Sequence, residues 1–296
     1  MRIAISGSTG LVGSSLAAAL QAEHGQVIRL VRKDPEAGDV LWDPQATTFD
    51  AAPLAGCEAV VHLAGENIAS GRWNTAKKSQ IRQSRVQSTQ VLARALANAE
   101  KKPRVFVSAS AIGYYGDAGE TWLSEQSPAG DDFLAEVCQA WEKATQPARN
   151  AGIRVVNLRI GVVLSKSGGA LTKMLTPFRL GLGGRVGNGR QYWSWIALPD
   201  LVGVIRHALT CDALEGPVNT VAPAPVTNAE FTRILGRVLG RPTLFPLPAF
   251  MARAMLGEMA DALLLSSTRV SAEKLQQSGY RFEYPELESA LGGVIG

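Results

Sequence analysis

The sequence predicts an α/β fold: a doubly wound parallel sheet with a smaller, mixed or helical C-terminal region. Three observations carry that expectation. Apolar runs of strand length alternate with longer helical stretches up to about Ser165, as they do where strands are buried on both faces beneath crossover helices. The first run ends in a glycine-rich turn, GSTGLVG (7–13), that opens a helix. No internal repeat is evident, which argues against a solenoid or propeller.

The elements follow in order. RIAIS (2–6) reads as a short buried strand, and the stretch after its glycine turn as a helix. QVIRLVR (26–32) is a second strand, GDVLWDP a weaker one, and CEAVVHLAG (57–65) the next clear one. The helical NTAKKSQIRQSRVQSTQVLARALANA then leads to strand RVFVSAS (104–110). In DFLAEVCQAWEKA (132–144), Phe133, Leu134, Val137, Cys138 and Trp141 share one apolar helical face. IRVVNLRIGVVLS (153–165) closes the alternation as one strand.

After Ser165 the texture changes. GGALTKMLTPFRLGLGGRVGNGRQYWSWI is rich in glycine and aromatics, the composition of loops over a site. DLVGVIRHAL and GPVNTVAP return toward the sheet, and the tail from Pro246 is mostly helical, with Pro and Gly at its boundaries. The expected division is residues 1–222 for the sheet domain, with 166–196 reaching to the substrate side, and 246–293 for a C-terminal domain.

Bulk properties bound the function. With 46% hydrophobic and 19% charged residues, a chain of 296 buries a full core. A net charge of +4 without a Lys/Arg run, and few aromatics, argue against a nucleic-acid partner; a small anionic ligand accounts for the excess equally well. Three cysteines, an odd number without metal-ligand spacing, point to reduced thiols and to no metal site. No apolar run reaches membrane length and the first strand begins directly after Met1. The expectation is therefore a cytoplasmic protein with no membrane partner.

The turn Gly7-Ser8-Thr9-Gly10-Leu11-Val12-Gly13 sits between the first strand and first helix, where a dinucleotide turn of a Rossmann fold belongs. Gly7 permits the tight turn, Gly10 lets the backbone approach a pyrophosphate, and Gly13 lets helix and strand pack closely. The helix start offers free N–H groups to the anion. At the end of the second strand, where NAD-binding chains carry an acid, this one reads LVRKDP. Arg32 and Lys33 would form charge-assisted hydrogen bonds with a 2′-phosphate, each worth roughly 1.5–3 kcal/mol, so NADP(H) is preferred over NAD(H). Asp34 beside them counts the other way.

Together these residues resemble the extended short-chain dehydrogenases/reductases, and more closely an atypical epimerase-family subgroup with a short C-terminal domain of its own. The likeness runs nearly end to end, through GSTGLVG, VVHLAGENI, GRW, IRQSRVQST, SASAIGYYG, GDDFLAEVCQAWE, GGALTKMLTPFRLGLGG, GEMADALLLSSTRV and YRFEYPEL. The resemblance implies that Leu63, Ala64 and Gly65 line the adenosine side of the cofactor and that Gly161 and Val163 pass the nicotinamide carboxamide. Arg85 stands where most extended members carry Asn, and Ser110 where a serine bonds the substrate oxygen. The family's Tyr-x-x-x-Lys pair falls on Leu134 and Cys138, with Glu142 matching a glutamate that commonly follows. In that family the Tyr exchanges a proton with substrate and the Lys binds ribose and lowers the Tyr pKa. Leu134 and Cys138 do neither.

The replacement chemistry is open among several residues. Cys138 is a packed thiol, a bystander facing the nicotinamide, or a reactive group. Tyr114 and Tyr115 follow Ser110 in a glycine-bounded loop, and either phenol is a candidate acid or a packing residue. Arg85 would replace the lost lysine charge, or form a structural salt bridge. Glu66 and Asn67 come straight after a strand end and are candidates to line the substrate site. Arg190 is a candidate for an anionic or ring-bearing substrate, while Trp193 and Trp195 beside it suit a core wedge. His62 and His207 lie in apolar stretches and read as structural.

The leading expectation is an NADP(H)-binding oxidoreductase or epimerase-like enzyme acting on a small carbonyl or hydroxyl compound. The alternative is a non-catalytic NADP(H)-binding sensor or partner-docking protein; some members of the resembled subgroup have division-related roles. The oligomeric state is left open, a homodimer included. One consequence is testable directly. Arg32→Asp should weaken NADPH binding by about tenfold or more and NADH binding far less. Fluorescence titration of both nucleotides measures this, and equal losses would contradict the assignment.

Overall fold

In the computed structural model, which describes residues 1–296, seven strands form one parallel sheet. They are β1 (Arg2–Ser6), β2 (Gln26–Val31), β3 (Val40–Leu41), β4 (Ala59–His62), β5 (Val105–Ala111), β6 (Arg154–Ile160) and β7 (Gly216–Thr220). Their spatial order is β7-β6-β5-β4-β1-β2-β3, every neighbouring pair parallel. The chain winds outward from β1 to β3 and then, from β4, in the opposite direction. That reversal leaves a crevice beyond the C-terminal ends of β1 and β4, where open α/β sheets take their ligands.

Strand periodicity sorts the core. Ile3 and Ile5 face one side of β1 and join Leu16 and Leu20 of helix α1 (Leu11–Ala22) and Leu201 and Ile205 of the helix Leu198–Thr210. Ala4 faces the other side, with Ile28, Phe106 and the Leu92–Leu96 face of helix α2 (Thr75–Asn98). Burial on both sides explains why these strands read as near-continuous apolar runs rather than alternating ones. Helix α2 starts at Asn74, whose Oδ1 accepts from Lys77 N at 2.8 Å. Helix α3 (Phe133–Lys143) starts likewise at Asp132, whose Oδ1 accepts from Ala135 N at 2.8 Å.

Two expectations are corrected. Residues 153–165 do not make one strand: Val162–Leu164 leave the sheet and pair with Trp195–Ala197. The break is at Gly161, where a Cβ would lie 2.6 Å from Ser194 O, so the chain turns against a neighbouring segment that leaves no room for a side chain. The strand expected over 57–65 is confined to Ala59–His62, and its last three residues bend into the crevice.

A second core layer lies under the C-terminal half. Trp193 and Trp195 are buried there with Leu171, Phe231 and Leu291. The two tryptophans are thus the aromatic wedge rather than a ligand surface. The tail is fastened by Asp200, a buried carboxylate in the helix Leu198–Thr210. It accepts from Tyr280 Oη (3.1 Å), Glu283 N (2.8 Å) and Tyr284 N (2.9 Å). No helix is long and apolar enough to cross a membrane.

His62 pins the crevice from beneath. Its Nδ1 is 2.6 Å from Ser6 Oγ and its Nε2 is 3.2 Å from Ser88 Oγ, so it joins β1, β4 and α2 with no exposed surface. Burial pushes its pKa down to about 3. His207 is likewise packed, with Nε2 2.9 Å from Ser278 Oγ. The neutral His62 ring sets a sign for the acid response. The unfolded chain binds a proton at a pKa near 6.5 and the folded chain resists it until about 3. This part of the stability is therefore complete above roughly pH 6.5 and is lost as pH falls toward 3, at up to about 1.4 kcal/mol per pH unit. Denaturant melts across that window should show a shallower acid loss in His62→Gln than in the parent chain.

Candidate functional site

The crevice is built on close backbone contacts. Gly7 has φ +73°, and a Cβ there would lie 2.8 Å from Ala64 N and from the Leu63 carbonyl carbon. The turn and the end of β4 can therefore meet only with glycine at position 7. A Cβ on Gly13 would collide with the Gly7 carbonyl oxygen. The contact that Gly13 permits is thus between helix and turn, not helix and strand as expected. A Cβ on Gly10 would meet only Gly7 O, at 3.3 Å, which leaves its outer side open to a ligand.

Helix α1 begins at Gly10 with no side-chain cap and no acid in its first turn. Its first N–H groups are therefore free for an anion. Ser8 is buried and its Oγ has no hydrogen-bond partner; Thr9 is exposed, and Leu11 and Val12 are half-buried at the lip. At the end of β2, Arg29 is tied to Asp39 (2.7 Å) and Glu36 (2.6 Å), whereas Arg32 and Lys33 are exposed and unpaired. Asp34 forms no ion pair with them. An orphan hydroxyl, an uncapped helix start and two free cations at this spacing suit a phosphorylated dinucleotide.

The other end of the crevice carries a guanidinium without a carboxylate. Arg85, on α2, lies against Gly65, where a Cβ would meet its Cζ at 3.3 Å, and over the Trp141 ring at 5.1 Å. Its one protein hydrogen bond goes to Ile81 O at 3.2 Å, and burial lowers its pKa. The structural salt bridge considered for Arg85 is absent.

Ser110 is tied into a hydrogen-bond network within the protein. Its hydroxyl donates to Glu142 Oε1 at 2.8 Å. Glu142 is also gripped by Arg159, with Nε to Oε1 at 2.8 Å and Nη2 to Oε2 at 2.9 Å. Arg159 Nη1 then donates to the Tyr115 hydroxyl (3.0 Å), which donates to Asn219 Oδ1 (2.6 Å). Tyr115 is buried and its pKa is pushed up to about 12, so it is a strut of this network and not a free acid. Tyr114 lies with its ring 3.5 Å from the Arg159 guanidinium, half-buried, and its hydroxyl has no protein partner. Of the two tyrosines, only Tyr114 keeps a free phenol.

Cys138 and Leu134 close the floor. Leu134 packs under Gly113, and Cys138 Sγ lies beside it. Burial, with the Glu142 charge, pushes the Cys138 thiol up to about 12. A cleft of 310 Å³ opens next to Leu134, lined among others by Trp73, Phe133, Arg253 and Asp261. A larger cavity of 620 Å³ lies at the N-terminal end of β1, by Met1, Gly25 and Arg206, away from these groups.

The remaining candidates are placed unequally. Glu66 is paired with Lys77 Nζ at 2.5 Å, which holds its carboxyl below the usual range, and Glu66 N donates to Ser84 Oγ at 3.0 Å. Asn67 is exposed and its Oδ1 accepts from Ala69 N. Gly161 and Val163 flank the strand break, with Val163 half-buried. Arg190 is an exposed loop residue, and no contact brings its side chain to the crevice. No group of His, Cys, Asp or Glu side chains is arranged to hold a metal ion. Sequence reasoning missed Arg159. Its signal was a lone arginine in NLRIG, within a strand buried on both faces, where a charge requires a partner.

The sheet order, the glycine turn and the position of α3 define a Rossmann-fold protein of the short-chain dehydrogenase/reductase type. The comparisons agree. The NAD dependent epimerase/dehydratase family matches residues 3–220, and a domain of unknown function (DUF1731) matches 247–293. Epimerase family protein Mb2239 of Mycobacterium bovis is 46% identical over 291 residues, covering 98% of this chain and 96% of its own. The crystal structure of human epimerase family protein SDR39U1 with NADPH superposes with TM-score 0.92 at 37% identity, covering 99% of each chain. A nucleoside-diphosphate sugar epimerase from Corynebacterium glutamicum gives TM-score 0.84 at 39% identity, over 100% of this chain and 58% of that one. The chain belongs to the NAD dependent epimerase/dehydratase family.

The raised Cys138 pKa gives a direct chemical expectation. At pH 8 burial therefore holds Cys138 as the neutral thiol. Iodoacetamide should modify the half-buried Cys211 first and leave Cys138 unlabelled in the folded protein. Peptide mass spectrometry of a time course measures this; early labelling of Cys138 would restore it as a reactive group.

Proposed function

We propose that this chain is an NADP(H)-dependent oxidoreductase or epimerase-like enzyme of the atypical short-chain dehydrogenase/reductase type, acting on a small carbonyl or hydroxyl compound in the cytoplasm. The observation that carries the reading is Arg85: a half-buried guanidinium, in salt-bridge contact with no carboxylate, at the end of the crevice where the usual tyrosine and lysine positions hold Leu134 and Cys138. The human relative solved with NADPH supports the cofactor, and the unpaired Arg32 and Lys33 support its 2′-phosphate.

Bound NADP(H) would supply or accept hydride at its nicotinamide. The chain's own residues then divide the remaining work. Gly7–Gly13 and the start of α1 hold the pyrophosphate. Arg85 offers fixed positive charge to a substrate oxygen that becomes negative during transfer, where a desolvated cation counts for most. Ser110 has committed its proton to Glu142, so it presents lone pairs and accepts from a substrate hydroxyl. The Tyr114 phenol is the free proton donor nearest Ser110 in the sequence.

The second reading, a non-catalytic NADP(H) sensor, is favoured by the same Ser110–Glu142 bond and by the inert Cys138. One experiment separates the two. Purified protein is screened for NADPH oxidation with a panel of small aldehydes and ketones, and Arg85→Ala is compared on any compound turned over. The enzyme reading expects turnover that drops about a hundredfold or more in Arg85→Ala, with the Kd for NADPH changed by less than about tenfold. NADPH binding without oxidation by any compound leaves the sensor reading.

A further inference from the structure

One face of the C-terminal half carries apolar side chains that folding does not use. All exposed large apolar residues except Met1, Leu41 and Trp122 lie in two segments, 180–182 and 244–255. The segments are neighbours: Phe245 N donates to Gly183 O at 3.3 Å, Leu247 N donates to Arg185 O at 2.8 Å, and Val186 bridges to Leu247. Leu180, Leu182, Leu244 and Phe245 are 57–75% exposed. The helix Ala249–Leu256 follows directly and adds Phe250 and Met255. Beneath them, Phe178, Val186 and Ala252 are already buried, so the core at this point is complete without the outer residues.

The two stretches that carry these residues contain charge of one sign only. Residues 166–190 hold five Lys or Arg, residues 240–257 hold two, and neither stretch contains Asp or Glu. The whole chain nets only +4, so the rest of it is net negative. Arg179, Arg185 and Arg241 are exposed and have no carboxylate partner, whereas Arg253 is paired with Asp261 at 2.9 Å. Apolar side chains ringed by unpaired cations match an anionic amphiphilic surface. A second copy of the same face would bring cations against cations.

We infer that this face, the Leu180–Arg185 and Arg241–Met255 segments, docks the protein reversibly on an anionic lipid bilayer. The expectation of no membrane partner rested on the lack of a spanning run, and a peripheral contact needs none. Leu244, Phe245 and Phe250 enter the headgroup boundary while Arg179 and Arg241 meet lipid phosphates. Binding is accordingly weakened by salt, because exposed cations are screened.

The test is co-sedimentation of the full chain with vesicles of equal parts phosphatidylcholine and phosphatidylglycerol, against vesicles of phosphatidylcholine alone. Binding to the mixed vesicles only is expected, with release at high salt. The double variant Phe245→Ser/Phe250→Ser and, separately, Arg179→Glu/Arg241→Glu should each lose about tenfold or more in vesicle affinity. These residues are exposed, so melting temperatures should stay near the parent's. Three results would overturn the inference: no difference between the two vesicle types, full binding by both variants, or a dimer in light scattering that Phe245→Ser/Phe250→Ser abolishes.

Discussion

The site depends on a buried ion pair. Glu142 on α3 and Arg159 on β6 meet bidentately, and Ser110 from β5, Tyr115 from the following turn and Asn219 from β7 all join that pair. Removing two charges from water costs on the order of several kcal/mol per ion, which is offset only when every remaining donor and acceptor finds a partner. Here the partners come from three further elements, so the network is complete only when all of them are in place. The network thereby sets the distance of α3 from the sheet and the direction of the Ser110 hydroxyl. Elsewhere in the family resemblance a tyrosine and lysine on this helix would do the chemistry; here the same helix contributes Glu142 as an anchor.

The consequence is a site whose charges are divided. Glu142 and Arg159 neutralise one another in the interior, while Arg85 has no such salt-bridge partner. A half-buried cation left without a salt-bridge partner is costly to retain. The cofactor end shows the same division. Arg29 is spent on Asp39 and Glu36, and Arg32 and Lys33 beside it are left free.

The C-terminal region is bound to the sheet domain across the crevice. Lys78 of α2 pairs with Glu258, Arg72 donates to the carbonyls of Ala254 and Met255, and Lys173 donates to Ala69 O at 3.1 Å. Asp200 fastens the tail on the far side. The loop 66–74 after β4 is therefore shared between both regions. Polar contacts of this kind are weaker than a packed core and adjust more readily, whereas the face turned outward from Leu180 and Phe245 has no counterpart within the chain.

How much of this was legible follows from the range of each interaction. The parallel sheet, the glycine turn and the loss of the tyrosine and lysine were readable because each rests on local patterns: period, turn chemistry and a four-residue spacing on one helix. Gly161 hid a strand break because its reason is Ser194, more than thirty residues away, and a run such as IRVVNLRIGVVLS carries no mark of it. Tyr114 and Tyr115 are adjacent and identical in the sequence, yet one is a buried strut and the other has a free hydroxyl. That distinction came from Asn219 and Arg159, which only the fold brings to Tyr115. The sequence alone determined the architecture and the glycine turn of a nucleotide-binding fold, because backbone geometry is a property of short segments. The tertiary structure decided which polar groups are occupied and which are free, because a hydrogen bond is a statement about two places in the chain.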